Sequence, residues 1–235
     1  MSVKHSSTDG DSGSQWIHLS KSNILKVSLF ATGLAGIVAE YVLSTLATYF
    51  LGDSVFQWTM IVSLMLFSMG LGSRLSQFFE KELLQKFILV EFTLSVLCGF
   101  SALFAYVASG FTLYTGLIIY TLCILIGMLI GLEIPLVIRV NDTFESLRIN
   151  VASVMEKDYF GSLLGGIFFA FVGLPYLGLT YTPFVLAVVN FSVALVLLFI
   201  LWNHLSRSNQ KLLGGIGAGV GVLLLSGLVF AKPII

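Results

Sequence analysis

The chain has 235 residues, twelve basic and twelve acidic side chains, 57% hydrophobic residues and only 10% charged ones, with a mean hydropathy of +0.99. Soluble domains carry roughly 25% charged residues, so this composition excludes a water-soluble core. A net charge of zero excludes the broad basic field of a nucleic-acid binder. What remains is an all-α, polytopic integral membrane helix bundle, with the lipid bilayer as its first partner.

Residues 1–20 are rich in Ser, Asp and Gly and are expected to form a disordered cytoplasmic tail. The stretch is too polar for a signal peptide, so the first apolar run is expected to be retained as an anchor. Trp16, Ile17 and Leu19 either lie in the membrane interface or simply belong to the tail. A transmembrane domain is expected over 21–235. Seven apolar runs fill it, at about 25–50, 55–73, 84–107, 111–138, 158–178, 181–202 and 212–231, each near the roughly 20 residues that a bilayer crossing needs.

Lipid supplies no hydrophobic force between helices, so small residues four apart mark candidate packing faces. Gly127 and Gly131 form such a pair in the fourth run, Gly161 and Gly165 in the fifth, and Gly217 and Gly221 in the seventh. The glycines at 214–221 do not make a nucleotide loop, because the final glycine of that motif is missing and no strand precedes them. Pro135 cannot donate to the carbonyl of Gly131, which predicts a kink in the fourth helix. Pro175 marks a bend near the outer end of the fifth, and Pro183 is tolerated in the first turn of the sixth. Cys98 and Cys123 both fall inside runs and read as small packing residues. No metal-binding or nucleophile motif is present, and His5, His18 and His204 are dispersed, so no metal or cofactor is expected.

Charge sets the topology. With seven passes, eleven of the twelve basic residues, Lys4 through Lys211, fall on one face, and only Lys232 falls on the other. The opposite connections, at 52–54, 108–110 and 179–180, carry no Lys or Arg. The positive-inside rule then puts the N-terminus in the cytoplasm and the C-terminus outside, in the cell inner (plasma) membrane. Trp58 near the outer face and Trp202 near the inner fit interfacial anchoring. The polar stretch 139–157, with Asn141, Asp142, Glu145 and Arg148, is the candidate docking element.

Four acids stand in or beside the apolar runs. Glu40 is about 21 Å of helix beyond Lys26, near the bilayer midplane. Glu91 follows Lys86 by about a turn, Glu133 precedes Arg139 by six residues, and Asp158 opens the fifth run. Glu91, Glu133 and Asp158 are expected to share the cytoplasmic third of the bundle, with Glu40 deeper. A carboxylate in lipid costs a few kcal/mol or more, so these groups face inward and take a partner or a function. One reading is a polar cavity that binds a cation or moves a proton, with Glu133 beside Pro135 as its strongest member. The bland reading pairs Glu91 and Glu133 with Arg74 or Arg139, makes Asp158 a helix cap, and hydrogen-bonds a protonated Glu40 to Ser44, Thr45 or Ser63.

Taken in order, residues 36–40, Leu51-Gly52-Asp53-Ser54, Gly70-Leu71-Gly72-Ser73, Glu91, Glu133-Ile134-Pro135, Asp158-Tyr159-Phe160-Gly161 with Gly165, and Leu174-Pro175-Tyr176-Leu177-Gly178-Leu179 carry a likeness. Over about 30–200 the chain resembles the N-terminal membrane domain of membrane-fused spermidine synthase-like proteins, the polyamine aminopropyltransferases. In that family a soluble Rossmann-like domain after the last span carries aminopropyl transfer, and no such domain is visible in these residues. The resemblance therefore implies a non-catalytic membrane module. It would bind a small cation such as a polyamine, or dock a soluble aminopropyltransferase or another membrane subunit. The alternatives are a stand-alone transporter or channel for a small cation, and a structural subunit of a membrane complex.

Overall fold

Inside lipid a backbone N–H or C=O finds no water, so a crossing segment satisfies its own groups by forming helix. The computed structural model describes residues 9–111, 113–142 and 146–231, with side chains from Ser22 onward except at 204, 230 and 231, and contains no strand among them. Its α-helices are α1 (Asp9–Leu51), α2 (Ser54–Leu75), α3 (Leu83–Phe111), α4 (Thr115–Asn141), α5 (Leu147–Phe168), α6 (Gly178–Ile200) and α7 (Arg207–Ala231). Short 3-10 turns follow α2 and α6, and a π-helical stretch, Phe169–Leu177, joins α5 to α6. Lys4, His5, Glu145 and Lys232 lie outside the described residues, as do the side chains of Trp16, Ile17, His18, Leu19 and His204.

Among the described residues, six helical stretches are long and apolar enough to cross a membrane: Ser22–Leu51, Ser54–Phe78, Leu83–Phe111, Thr115–Asn141, Leu147–Ile200 and Arg207–Val229. The fifth runs for 54 residues and contains both the fifth and sixth runs of the sequence. It is not straight. Gly178 sits at φ 65°, a left-handed conformation that glycine adopts without steric cost. Thr182 Oγ1 then donates to the carbonyls of both Gly178 (2.7 Å) and Gly173 (2.9 Å). Nine residues of straight helix would separate Gly173 and Thr182 by about 13 Å, so the chain turns between them.

Three boundaries differ from expectation. Helix α1 begins at Asp9, inside the tail expected to be disordered, because a helix nucleated by the apolar run adds one hydrogen bond for each residue it extends. The fifth run does not open at Asp158, since α5 starts at Leu147 behind a Ser146 N-cap residue. Within 139–157 the described residues include the end of α4 and the first turns of α5. Asn150 is fully buried and joins both sides of the connection: its Oδ1 accepts from Asn141 Nδ2 and its Nδ2 donates to the Ile138 carbonyl, each at 2.8 Å.

Helix α1 is the hub, packing on α5, α4, α2 and α6. Glycine decides two of the closest approaches. A Cβ at Gly131 of α4 would land on the Met69 carbonyl of α2, and one at Gly161 of α5 on the Phe30 carbonyl of α1. Gly165 and Gly127 likewise stand against Leu34 of α1 and Met65 of α2. Gly217 and Gly221 of α7 differ, because they face the rings of Phe92 and Phe191 rather than backbone. Pro135 lies inside α4, which continues to Asn141.

Candidate functional site

Two apolar clusters fill the bundle, and the acids lie at the seam between them. One cluster contains Ala35 of α1, Leu94 of α3 and Ile130 and Leu136 of α4. The other contains Leu29 of α1, Phe87 and Ile88 of α3, Val137 of α4 and Val154 of α5. Between them, one turn from each set, stand Thr32, Glu91, Glu133 and Asp158. Glu91 and Glu133 are fully buried, and Asp158 is 8% exposed.

Thr32 Oγ1 shares its proton between the Ser28 carbonyl (3.1 Å) and Glu91 Oε1 (3.2 Å). Among the described residues no other hydrogen bond reaches the Glu91 carboxyl, and Glu91 Oε2 and both oxygens of Glu133 are buried without a hydrogen-bond partner. Glu133 lies close enough to Glu91 and Asp158 for the three charges to interact. Buried polar atoms are nearly always paired, and an isolated ionised carboxylate in an apolar setting is prohibitively costly. The trio therefore demands protons or a cation.

The expected structural pairings do not form. Arg139 Nη1 donates to the Ser76 carbonyl at 2.9 Å, tying α4 to the turn after α2, and Glu133 has no partner. Asp158 lies in the interior of α5 and caps nothing. Thr45 donates to the Tyr41 carbonyl at 2.7 Å, and Ser44 Oγ is buried without a partner, so neither hydroxyl serves Glu40.

Asp158 is positioned by a glycine. A Cβ at Gly33 would collide with the Asp158 carbonyl and stand 2.8 Å from Oδ1, so the bare backbone of α1 admits α5 and its carboxyl. Ser162, one turn on, donates to the Gly33 carbonyl at 3.2 Å. A cavity of about 160 Å³ begins here, lined by Gly33, Gly36 and Glu40 of α1, Met65 and Met69 of α2, Ile130 of α4 and Asp158 of α5, among others. Glu40, partly buried, is its second acid. The structure thus gathers Glu91, Glu133 and Asp158 in one layer and joins Glu40 to Asp158 through the cavity. A larger cavity of about 380 Å³ between α1 and α6 holds no ionisable side chain. No group of His, Cys, Asp and Glu suited to a metal ion occurs among the described residues.

Sequence reasoning missed Thr32 and Gly33. Their signal was periodicity: Gly33, Gly36, Ile37 and Glu40 recur at the spacing of one helical face, and Thr32 falls beside them toward α3.

Comparison with known proteins gives a consistent picture. The chain is 45% identical over 184 residues to polyamine aminopropyltransferase 2 of Aquifex aeolicus, a match covering 78% of this chain and 37% of that protein. It is 33% identical over 219 residues to the polyamine aminopropyltransferase of Oceanobacillus iheyensis, covering 90% and 42%. With that of Leptospira interrogans it shares 38% over 171 residues, covering 73% and 34%. No family model matches the chain, and no solved structure matches it. These relatives carry the name of an enzyme, which overturns the expectation of a non-catalytic module. The transporter, channel and structural-subunit alternatives gain no support from them either. The chain spans 34% to 42% of the length of these relatives, and the likeness supports the polyamine aminopropyltransferase family.

Proposed function

We propose that this chain is the membrane-spanning portion of a polyamine aminopropyltransferase, and that its buried acids hold a cationic amine of the reaction. One observation carries the reading: 45% identity over 184 residues to a protein named for that activity. The chemistry agrees with it. Aliphatic amines are ammonium ions at neutral pH, as the lysine side chain is, and a buried carboxylate layer with no salt bridge to a Lys or Arg among the described residues attracts that charge.

The turn at Gly178 supports dividing Leu147–Ile200 into two passes, for seven in all. Eleven basic residues on one face support an N-terminus in the cytoplasm, and the inner membrane as the location. The test is aminopropyl transfer to a diamine acceptor by the complete protein, purified from membranes. The expected result is transfer that sediments with the membrane fraction. Full-length protein that is folded and saturated with donor and acceptor, yet transfers nothing, refutes the proposal.

A further inference from the structure

The cavity beside Asp158 has a shape that narrows its ligand. Gly33, Gly36, Ile37 and Glu40 line it at positions i, i+3, i+4 and i+7 of α1, so it runs along one face of that helix as a slot. Asp158, packed against Gly33, closes one end, and Glu40 stands seven residues on, about 10 Å along the axis. The walls between are apolar: Ile37, Met65, Leu66, Met69 and Ile130. Ser162 and Tyr159 are the other polar side chains of the lining, and the Ser162 hydroxyl is already committed to the Gly33 carbonyl.

A slot with a carboxyl group at each end and an apolar middle is the complement of a linear chain with an ammonium group at each end. The Asp158 end is the entrance. Lys157 and Glu156, adjacent on α5, form an exposed ion pair at 3.0 Å, and exposed charges of this kind favour water over lipid at that end. Behind the entrance stand Glu133 and Glu91, with three carboxylate oxygens buried and unpartnered. They draw positive charge to the layer from within the bundle.

We propose that the slot between Asp158 and Glu40 binds a linear polyamine by two of its ammonium groups and measures the length between them. This rests on the reading of the chain as part of a polyamine enzyme. Each ammonium nitrogen stands about 2.8 Å from the carboxylate oxygen it donates to, so acids about 10 Å apart are bridged by nitrogens about 5–6 Å apart, roughly five bonds of an extended chain at about 1.2 Å per bond. A four-carbon diamine, or the four-carbon arm of a triamine, therefore engages both acids at once, whereas a three-carbon spacing falls short. The slot thus selects amines whose charges are about five bonds apart over shorter and much longer spacings.

The experiment uses the complete protein in nanodiscs of phosphatidylcholine, a radiolabelled triamine with one three-carbon and one four-carbon arm as the probe, and competition by unlabelled diamines of increasing length. Affinity is expected to rise with length, peak at about five bonds between the nitrogens and fall beyond it. Glu40→Gln and Asp158→Asn each weaken triamine binding by about tenfold or more and flatten the length profile, because each removes one charge-assisted contact. Glu40→Asp withdraws the deep carboxyl by one carbon and moves the optimum toward longer diamines, a change that misfolding cannot produce. Glu156→Gln, at the exposed ion pair, leaves the profile unchanged. A flat profile in the unaltered protein overturns the inference. So does an unshifted optimum in Glu40→Asp, or equal competition by ethanolamine, which would assign the site to a lipid headgroup. Transfer activity in the same preparation separates the two readings. Transfer with a flat length profile removes the slot alone, whereas length-selective binding without transfer removes the enzyme assignment.

Discussion

Replacing Glu133 by leucine should make this protein more stable, not less. Both of its carboxyl oxygens are buried without a hydrogen-bond partner, and its neighbours in the layers above and below are Ile130, Leu136 and Val137. Leucine is of similar size and suits those surroundings. A buried ionic group that serves as half of a structural pair costs about 3–5 kcal/mol when its partner is orphaned, whereas exchanging a poorly compensated buried charge for a packed apolar side chain gains about 1–4 kcal/mol. Glu133→Leu strands no charged partner, the nearby Thr32 hydroxyl keeps the Ser28 carbonyl as acceptor, and the change also removes a like charge beside Glu91 and Asp158. The expected gain is therefore about 1–3 kcal/mol, accompanied by weaker amine binding, the usual exchange between stability and activity at a functional group. Thermal unfolding in detergent, with and without a polyamine, reads both effects. The ligand-free midpoint should rise and the ligand-induced shift should shrink. A fall in the ligand-free midpoint by several degrees would show that Glu133 has a structural partner, and the case for a ligand site built on it would collapse.

Other positions separate close packing from polar anchoring. Gly131→Ala and Gly161→Ala drive a Cβ into a neighbouring backbone carbonyl and should each cost about 1–3 kcal/mol, while Gly219→Ala, with open space around it, should change unfolding by no more than about 0.5 kcal/mol. Asn150→Leu removes two hydrogen bonds at a fully buried site and strands the Asn141 amide, for an expected loss of about 2–4 kcal/mol in the same melting assay. Thr32→Val leaves Glu91 without its donor and should cost about 1–3 kcal/mol. In a Glu91→Leu background that cost should largely disappear, and a double-mutant cycle with no coupling would show the contact to be energetically idle.

The helices were legible because lipid forces the pattern: runs of apolar residues near bilayer length could be read as crossings from composition alone. The ends were less legible. At Asp9 and Leu147 helix continues through polar sequence, since hydrogen-bond propagation and buried partners for Asn141 and Asn150 outweigh composition there. The acids could be singled out because a carboxyl in an apolar run is conspicuous whatever surrounds it. Their arrangement could not be, because it depends on which face of α1 each neighbour meets. Thr32 and Gly33 are adjacent in sequence yet turned about 100° apart on the helix, one toward Glu91 on α3 and the other toward Asp158 on α5. Neither residue type is unusual in a membrane helix, so nothing in its identity marked it.

The contact between α1 and α5 explains why packing and chemistry fall in the same place. Helices in lipid associate through close van der Waals fit, and here Gly33, Gly161 and Gly165 bring the two backbones together. The same absence of side chains at Gly33 and Gly36 leaves a furrow on α1 that α2 and α4 roof with Met65, Met69 and Ile130. An alanine at Gly33 would have to displace Asp158, closing the furrow where it meets the acid layer. The glycine that holds α5 against α1 is thus also the one that opens the slot. A Gly33→Ala protein that kept both its stability and its polyamine binding would separate the two roles, and would show that the slot is not made by the packing of α5 on α1.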